Sequence, residues 1–268
     1  GFEMVDRHEL LDFDHCKLYA EASAKLHALA IALNKSNPEL IKGFCFDTET
    51  LDETMKLLMC NSLYLIASYL EDKPAYQKQL GVIKEAAENG IFWTIFKETL
   101  EVCNLKPIRT LTQADPWCTN MMFTYSSGRV KGIKVIDFQN LKLNSPIVEL
   151  VMFLSISANL EVRQTRLNDL YQSYCDSLNR NLAELGCSER LSMEDLKAEV
   201  TLLSPVVFLN VCTLPIVLSE TAPNMEEYIS VKSPAELTTE SSIYKTVYTG
   251  PHFDKNFPWI FDAHDKHG

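Results

Sequence analysis

The chain has 268 residues, 46% of them hydrophobic and 23% charged, with only 9 glycines and 11 prolines, a composition that excludes a disordered, collagen-like or low-complexity polymer. It carries 25 Lys and Arg against 36 Asp and Glu, a formal charge of -11. That negative field has no basic stripe to offset it, so nucleic acid is excluded as a partner.

Taken in chain order, the first helical pattern covers 12 to 34, with Leu18, Ala22, Leu26, Leu29 and Leu33 as its apolar stripe and Asp12 or Asp14 as its cap. A loop over 34 to 47 precedes a second helix from Asp52 to about Leu70, whose face is Met55, Met59, Leu63, Ile66 and Leu70. Pro74 opens a third helix, Asn89-Gly90 stops it, and an aromatic-rich helix runs from Ile91 to about Cys103. The texture then changes. After Pro107 and Asn120, the run Met121 to Tyr125, the turn Ser126-Ser127-Gly128-Arg129 and the run Val130 to Ile136 read as a β-hairpin. Helical patterns follow at 146 to 158, 161 to 185 and 192 to 219, then a polar stretch from Thr221 to Ser242 and a last segment, Tyr244 to Gly268. The expected fold class is therefore mainly α with a short β-hairpin.

The 8 cysteines (16, 45, 60, 103, 118, 175, 187 and 212) form no C-x-x-C pair and read as small core hydrophobes kept reduced, which places the chain in the cytoplasm. Gly1 to Arg7 carries charges where an export signal has its apolar core. The uncharged run Val200 to Leu218 is interrupted by Pro205, Asn210 and Pro215 and has no aromatic or basic flanks, so a buried helix pair is expected there and no membrane.

Two carboxylates and an amide flank the hairpin: Asp115 and Asn120 before it, Asp137 after it in Val135-Ile136-Asp137-Phe138-Gln139. Phosphoryl transfer needs such a set, because hard oxygens hold Mg²⁺ against nucleotide phosphates while a separate carboxylate takes the proton of the acceptor hydroxyl. The order assigns Asp115 as base, with Asn120 and Asp137 as metal ligands. Each fragment alone is weak: Asp-x4-Asn recurs at Asp176 and Asn181 inside a helical pattern, and Asp-Phe recurs at Asp12-Phe13. Only the ordered combination points to a site. Trp117 reads as packing that fixes the loop, Glu149 as a hydrogen-bonding support, and His27 as a satisfied core histidine. Phe92, Trp93 and Phe96 read as core rather than as a ligand wall, and His264-Asp265-Lys266-His267 as a terminus rather than a metal site.

The run Leu111-Thr112-Gln113-Ala114-Asp115-Pro116-Trp117-Cys118-Thr119-Asn120-Met121-Met122-Phe123, with Val135 to Gln139, resembles the signature of the ecdysteroid kinase-like (CHK kinase-like) family, distant relatives of choline kinases and aminoglycoside phosphotransferases. Gly1-Phe2, Asp6-Arg7 and Ala24-Lys25-Leu26-His27-Ala28 are similar to segments that follow that family's interlobe hinge, and Ser145-Pro146, Glu149-Leu150 and Phe153-Leu154 to its next helix. The resemblance runs nearly end to end over the family's C-terminal lobe. It implies a protein-kinase-like fold and ATP-dependent phosphorylation of a small-molecule alcohol, an ecdysteroid or other sterol-like molecule, with ATP as co-substrate and Mg²⁺ as cofactor. It makes Asp115 the catalytic base and Asn120 and Asp137 the magnesium ligands, supported by Gln113, Trp117, Phe138 and Glu149.

On this reading residues 1–268 are a single kinase-like C-terminal lobe with the N-terminal lobe missing: catalytic loop 111–120, hairpin 121–136, metal motif 137–139 and C-terminal tail 221–268. No glycine-rich loop and no strand lysine ahead of a glutamate-bearing helix is present in these residues. Where the family has His-Gly before its Asp, this chain has Gln113-Ala114, and Glu149 stands where Asp is usual. Pro116 fixes its own φ and biases Asp115 toward extended backbone. These departures keep a second reading open, a non-catalytic pseudokinase that binds or scaffolds a ligand. A third reading, a helical interaction domain without a site, expects Asp115, Asn120 and Asp137 to lie far apart.

Overall fold

The computed structural model describes residues 1–45, 53–88 and 90–220, together with 247, 251, 253 and 255. The chain divides into two compact units, Gly1–Phe46 with Leu100–Val207, and Asp47–Thr99 with Phe208–Gly268.

The first unit is organised on helix α1 (Phe13–Ser36). Asp12 caps it, its carboxylate accepting from the His15 N–H at 3.1 Å. The expected leucine stripe is not the inner face. Leu29 and Leu33 are exposed, whereas Tyr19, Ala20, Ala24, His27 and Ala28 are fully buried. The reason is chemical: α1 turns inward the side that combines small alanines with Tyr19 and His27, whose Oη and Nδ1 find partners inside, and hydrophobicity alone does not rank that side first.

Two small antiparallel sheets follow. Strand β1 (Thr110–Thr112) pairs with β4 (Lys142–Asn144) in the register Thr110↔Asn144 and Thr112↔Lys142. This pair was not foreseen, since three-residue strands carry almost no alternation to read. Strands β2 (Met121–Ser126) and β3 (Arg129–Val135) form the expected hairpin. Its two loop residues, Ser127 and Gly128, have φ of 51° and 73°, the paired positive values of a type I′ turn. Lys131 is a bulge between the pairs Thr124↔Gly132 and Tyr125↔Val130. A Cβ at Gly132 would meet Thr124 Oγ1 at 2.9 Å, which favours glycine there. The N-terminal segment joins the same ribbon, Glu3 and Phe123 exchanging backbone hydrogen bonds of 2.9 and 2.8 Å.

Helix α5 (Pro146–Ile156) is capped by Ser145 with Pro146 at its first position, a favourable start because proline lacks only an N–H that has no helical partner there. Ser145 Oγ also donates to Glu199 of α8 (Met193–Leu202), tying the two helices. The expected helix over 161 to 185 is two, α6 (Leu160–Thr165) and α7 (Leu167–Glu184), broken at Arg166. The helical pattern over 192 to 219 divides at Leu203 into α8 and α9 (Ser204–Leu218), the helix pair expected over 200 to 218; Pro205 has no N–H with which to continue the hydrogen-bond ladder of α8. Helix α7 packs along α1.

The second unit contains α2 (Glu53–Leu70), α3 (Gln77–Glu88), the start of α4 (Ile91–Asn104) and the later part of α9. Met59, Leu63, Ile66 and Leu70 are buried on α2 as the spacing predicts, and Phe92 and Phe96 are core residues, Phe92 meeting Phe208 edge-on with ring centroids 5.5 Å apart. Gly90, with φ 61°, separates α3 from α4. Met55 lies within α2 but its side chain is not described, and most of the 221–268 tail, with the histidines at 264 and 267, lies outside the described residues.

No single helix among the described residues is long and apolar enough to cross a membrane; α8 and α9 reach that length and composition only when counted together as a broken pair. Cys16, Cys45, Cys103, Cys118, Cys175 and Cys187 are free thiols.

Candidate functional site

The loop from Gln113 to Asn120 hangs between β1 and β2, and the segment Ile136 to Gln139 between β3 and β4, so the two sheets hold both loops by their ends. The hairpin carries Asp137 back to Asn120: Met121 pairs with Val135, and the Ile136 N–H donates to the Asn120 carbonyl at 2.9 Å.

Within the first loop, Asn120 Nδ2 donates to both the carbonyl and the Oδ2 of Asp115, each at 3.1 Å. The amide is thereby oriented, with its NH₂ committed to Asp115 and its Oδ1 left as a hard oxygen ligand. Pro116 occupies the centre of a three-residue turn closed by the Trp117 N–H on the Asp115 carbonyl at 2.9 Å, a conformation its ring favours. Ser157, which follows α5, donates its Oγ to the Pro116 carbonyl at 2.9 Å, and Trp117 is half-buried, its carbonyl accepting from the Asn120 N–H at 2.8 Å.

Gln113 joins the two loops. It is buried, and its Nε2 donates to the carbonyls of Ile136 at 2.6 Å and Asp137 at 3.1 Å. Asp137 is exposed at the end of β3 with φ 62°, a left-handed geometry that aspartate tolerates. Burial pushes the Asp115 carboxyl above its usual value of 3.8; the Asn120 hydrogen bond opposes the rise, and the charge of Asp137 adds to it. The two carboxylates thus sense each other, and Asn120 holds one of them. The second Asp-x4-Asn is unlike this: Asp176 accepts from Gln172 and Asn181 donates to the Ser177 carbonyl, both one turn away along α7.

Beneath the loop lies Glu149, 1% exposed, on α5. Its Oε2 accepts from the Gln113 backbone N–H, and its Oε1 accepts from Tyr19 Oη at 2.9 Å and lies 3.2 Å from His27 Nε2. His27 Nδ1 is 2.7 Å from Tyr174 Oη on α7, and the His27 carbonyl accepts from Thr110 Oγ1 of β1 at 2.9 Å. Burial alone would raise the Glu149 carboxyl, yet the His27 ring and the bonds from Gln113 and Tyr19 hold it below 4.5. This carboxylate therefore anchors the loop to α1 and α7. Sequence reasoning missed Tyr19 and Tyr174 as members of the network; the signal available was two tyrosines and a histidine at positions where a helix face would otherwise be aliphatic. Phe138 is exposed, and its ring borders the cavity that Gln113 and Glu149 also line.

Ala114 has φ 60°, a left-handed conformation that disfavours any side chain with a Cβ. Ala114→Gly should raise stability by about 1 kcal/mol or less, strain relief outweighing the larger entropy of the unfolded glycine chain. An upward shift in the urea midpoint, with unchanged m, checks it.

A divalent cation of the Mg²⁺ type fits the donors present. Asp137 offers an exposed carboxylate and Asn120 an oriented amide oxygen, and Mg²⁺ takes one or two protein oxygens and completes its shell with water and phosphate. A preformed cage is a different matter: no group of three or more His, Cys, Asp or Glu side chains able to hold a metal occurs among the described residues.

A family model describing ecdysteroid kinase-like proteins matches residues 1–187, a span that includes α1, both loops, the hairpin, α5 and α7. No curated protein and no solved structure matches the chain. On the strength of that family match over more than half its length, the chain belongs to the ecdysteroid kinase-like family, a family of kinase-like phosphotransferases.

Proposed function

We propose that this chain is the catalytic lobe of a small-molecule kinase of protein-kinase-like fold, which transfers the γ-phosphoryl group of ATP to an alcohol, with an ecdysteroid or other sterol-like alcohol as acceptor class. The observation that carries this reading is Asn120 holding the Asp115 carboxylate while the hairpin returns Asp137 to the same edge. Asp115 accepts the proton of the acceptor hydroxyl as that oxygen attacks. Asn120 orients Asp115 and, with Asp137, presents oxygen to the cation that neutralises the phosphates. Gln113 fixes Asp137 through its carbonyl, and Glu149 fixes Gln113. When bound, Mg²⁺ supplies charge neutralisation of the transferring group. The charge of -11 supports a small-molecule rather than a nucleic-acid partner, and cysteine usage supports a cytoplasmic setting.

Calorimetric titration of the protein with ATP, with and without Mg²⁺, tests the reading. Binding should depend on Mg²⁺, and Asp137→Ala should weaken it to the level seen without the ion. Nucleotide binding that ignores both Mg²⁺ and Asp137 would remove the metal role, and no nucleotide binding at all would favour a pseudokinase.

A further inference from the structure

Near the turn end of the hairpin, three polar side chains from two elements form one hydrogen-bonded line. Asp12, which caps α1, sets its Oδ1 2.6 Å from His15 Nδ1, and His15 Nε2 lies 2.8 Å from Tyr125 Oη on β2. Carboxylate, imidazole and hydroxyl stand in the order that activates a hydroxyl nucleophile for acyl transfer, with a phenol in place of the usual alcohol. Packing holds the imidazole as well: its ring meets Phe123 edge-on with centroids 4.7 Å apart. Asp12 Oδ1 also accepts the His15 backbone N–H, so the carboxylate cannot turn away without uncapping α1. The chemistry of the donors places the protons. Burial alone would raise the Asp12 carboxyl, yet the side-chain and backbone hydrogen bonds from His15 hold it below its usual 3.8, so it is an ionised group that only accepts. Nδ1 therefore carries the hydrogen, and in the neutral ring Nε2 accepts the Tyr125 O–H. The His15 side chain is 12% exposed and Tyr125 40%, so the base is shielded while the phenol faces solvent.

We propose that Tyr125 is a modification site, a nucleophile whose hydroxyl takes an uncharged acyl group from an activated ester, with His15 as its general base and Asp12 as the group that orients that base. The Tyr125 oxygen attacks the ester carbonyl carbon as its proton passes to His15 Nε2. A new C–O bond to Tyr125 forms, the bond from that carbon to the leaving oxygen breaks, and the leaving group departs with the electron pair and receives the proton back from His15. Asp12 balances the charge of the transient imidazolium. The surroundings set the class of donor. Burial, then the charges of Glu3 and Asp12, push the Tyr125 phenol above its usual 10, so free phenoxide is scarce at neutral pH and reaction runs through the base. The same two charges repel phosphoryl and sulfuryl donors, which are anions. The site stands at the opposite end of β2 from Asn120, needs no nucleotide and does not depend on phosphoryl transfer.

The experiment treats the protein with 4-nitrophenyl acetate in the presence of free N-acetyltyrosinamide and reads the acetyl group on each tyrosine by peptide mapping and mass spectrometry. Tyr125 should be acetylated faster than the free amide. His15→Phe, which keeps a ring against Phe123 but has no base, should slow acetylation of Tyr125 by about 10²-fold, the lower end of what a positioned base contributes. A Tyr125 that reacts no faster than the free amide, or at a rate that His15→Phe leaves unchanged, overturns the proposal. Should His15→Phe fail to fold, Asp12→Asn, which still caps α1, takes its place: it should slow the reaction, and an unchanged rate overturns the proposal in the same way.

Discussion

Glu149→Ala should lower the free energy of unfolding by about 3–5 kcal/mol, the range for breaking a buried ionic or hydrogen-bonded set by removing one partner. The loss has a visible origin. Tyr19 Oη and the Gln113 N–H would each be left inside the protein without their acceptor, His27 Nε2 would lose the carboxylate 3.2 Å away, and a side-chain-sized void would open under the loop. A urea titration followed by circular dichroism measures it as a shifted midpoint. Glu149→Asp, which keeps the charge on a shorter stem, should lose less. The pH dependence has a definite sign. Because Glu149 is held below its ordinary 4.5, its contribution is fully present above that value and is lost as pH falls through the lower value of the folded state. The unaltered protein should therefore destabilise below about pH 4.5 with a steeper slope than Glu149→Ala. Matching slopes would show that this carboxylate is not what the network stabilises.

Asp115→Asn should reduce turnover by about 10²–10⁴-fold, the usual contribution of a positioned general base. It should leave the fold intact, since an amide oxygen still accepts from Asn120 Nδ2 at the same place. Steady-state phosphorylation of a sterol-like alcohol by the full protein, with thermal denaturation as the structural control, gives both readouts. The linkage here runs opposite to that of Glu149. Asp115 is raised, chiefly by burial and further by the charge of Asp137, so its ionisation on going above 3.8 destabilises the folded state as pH rises through the raised value. Asp115→Asn should thus be slightly more stable than the unaltered protein at neutral pH, the signature of a group kept for chemistry rather than for stability. The acidic limb of kcat/KM should lie above the ordinary aspartate value and vanish in the variant. A variant that retains full turnover would remove Asp115 from the role of base.

How much of this was legible beforehand differs by element. The hairpin could be read because Ser127-Gly128 is a turn with its own local chemistry, flanked by runs of strand-forming residues. Helix α2 could be read because its inner face is uniformly aliphatic. Helix α1 was found but turned the wrong way, since its buried side holds Tyr19 and His27 and its outer side holds Leu29 and Leu33. The β1–β4 pair was invisible: three residues on each side offer no period, and their pairing is set by chain segments some 30 residues apart. The break at Arg166 was also missed, whereas Pro205 signalled the helix pair that meets at Leu203.

The linear order of residues was enough for the family, the helical character of the chain and the β2–β3 hairpin, because signatures, turn residues and hydrophobic spacing are local properties. It was not enough for which face of α1 is inside, for the Glu149 network that joins α1, α5 and α7 beneath the loop, or for the line from Asp12 through His15 to Tyr125. Those depend on which polar groups meet after the chain closes on itself, and a hydrogen bond between residues 130 positions apart, as between Tyr19 and Glu149, leaves no trace in the spacing of either.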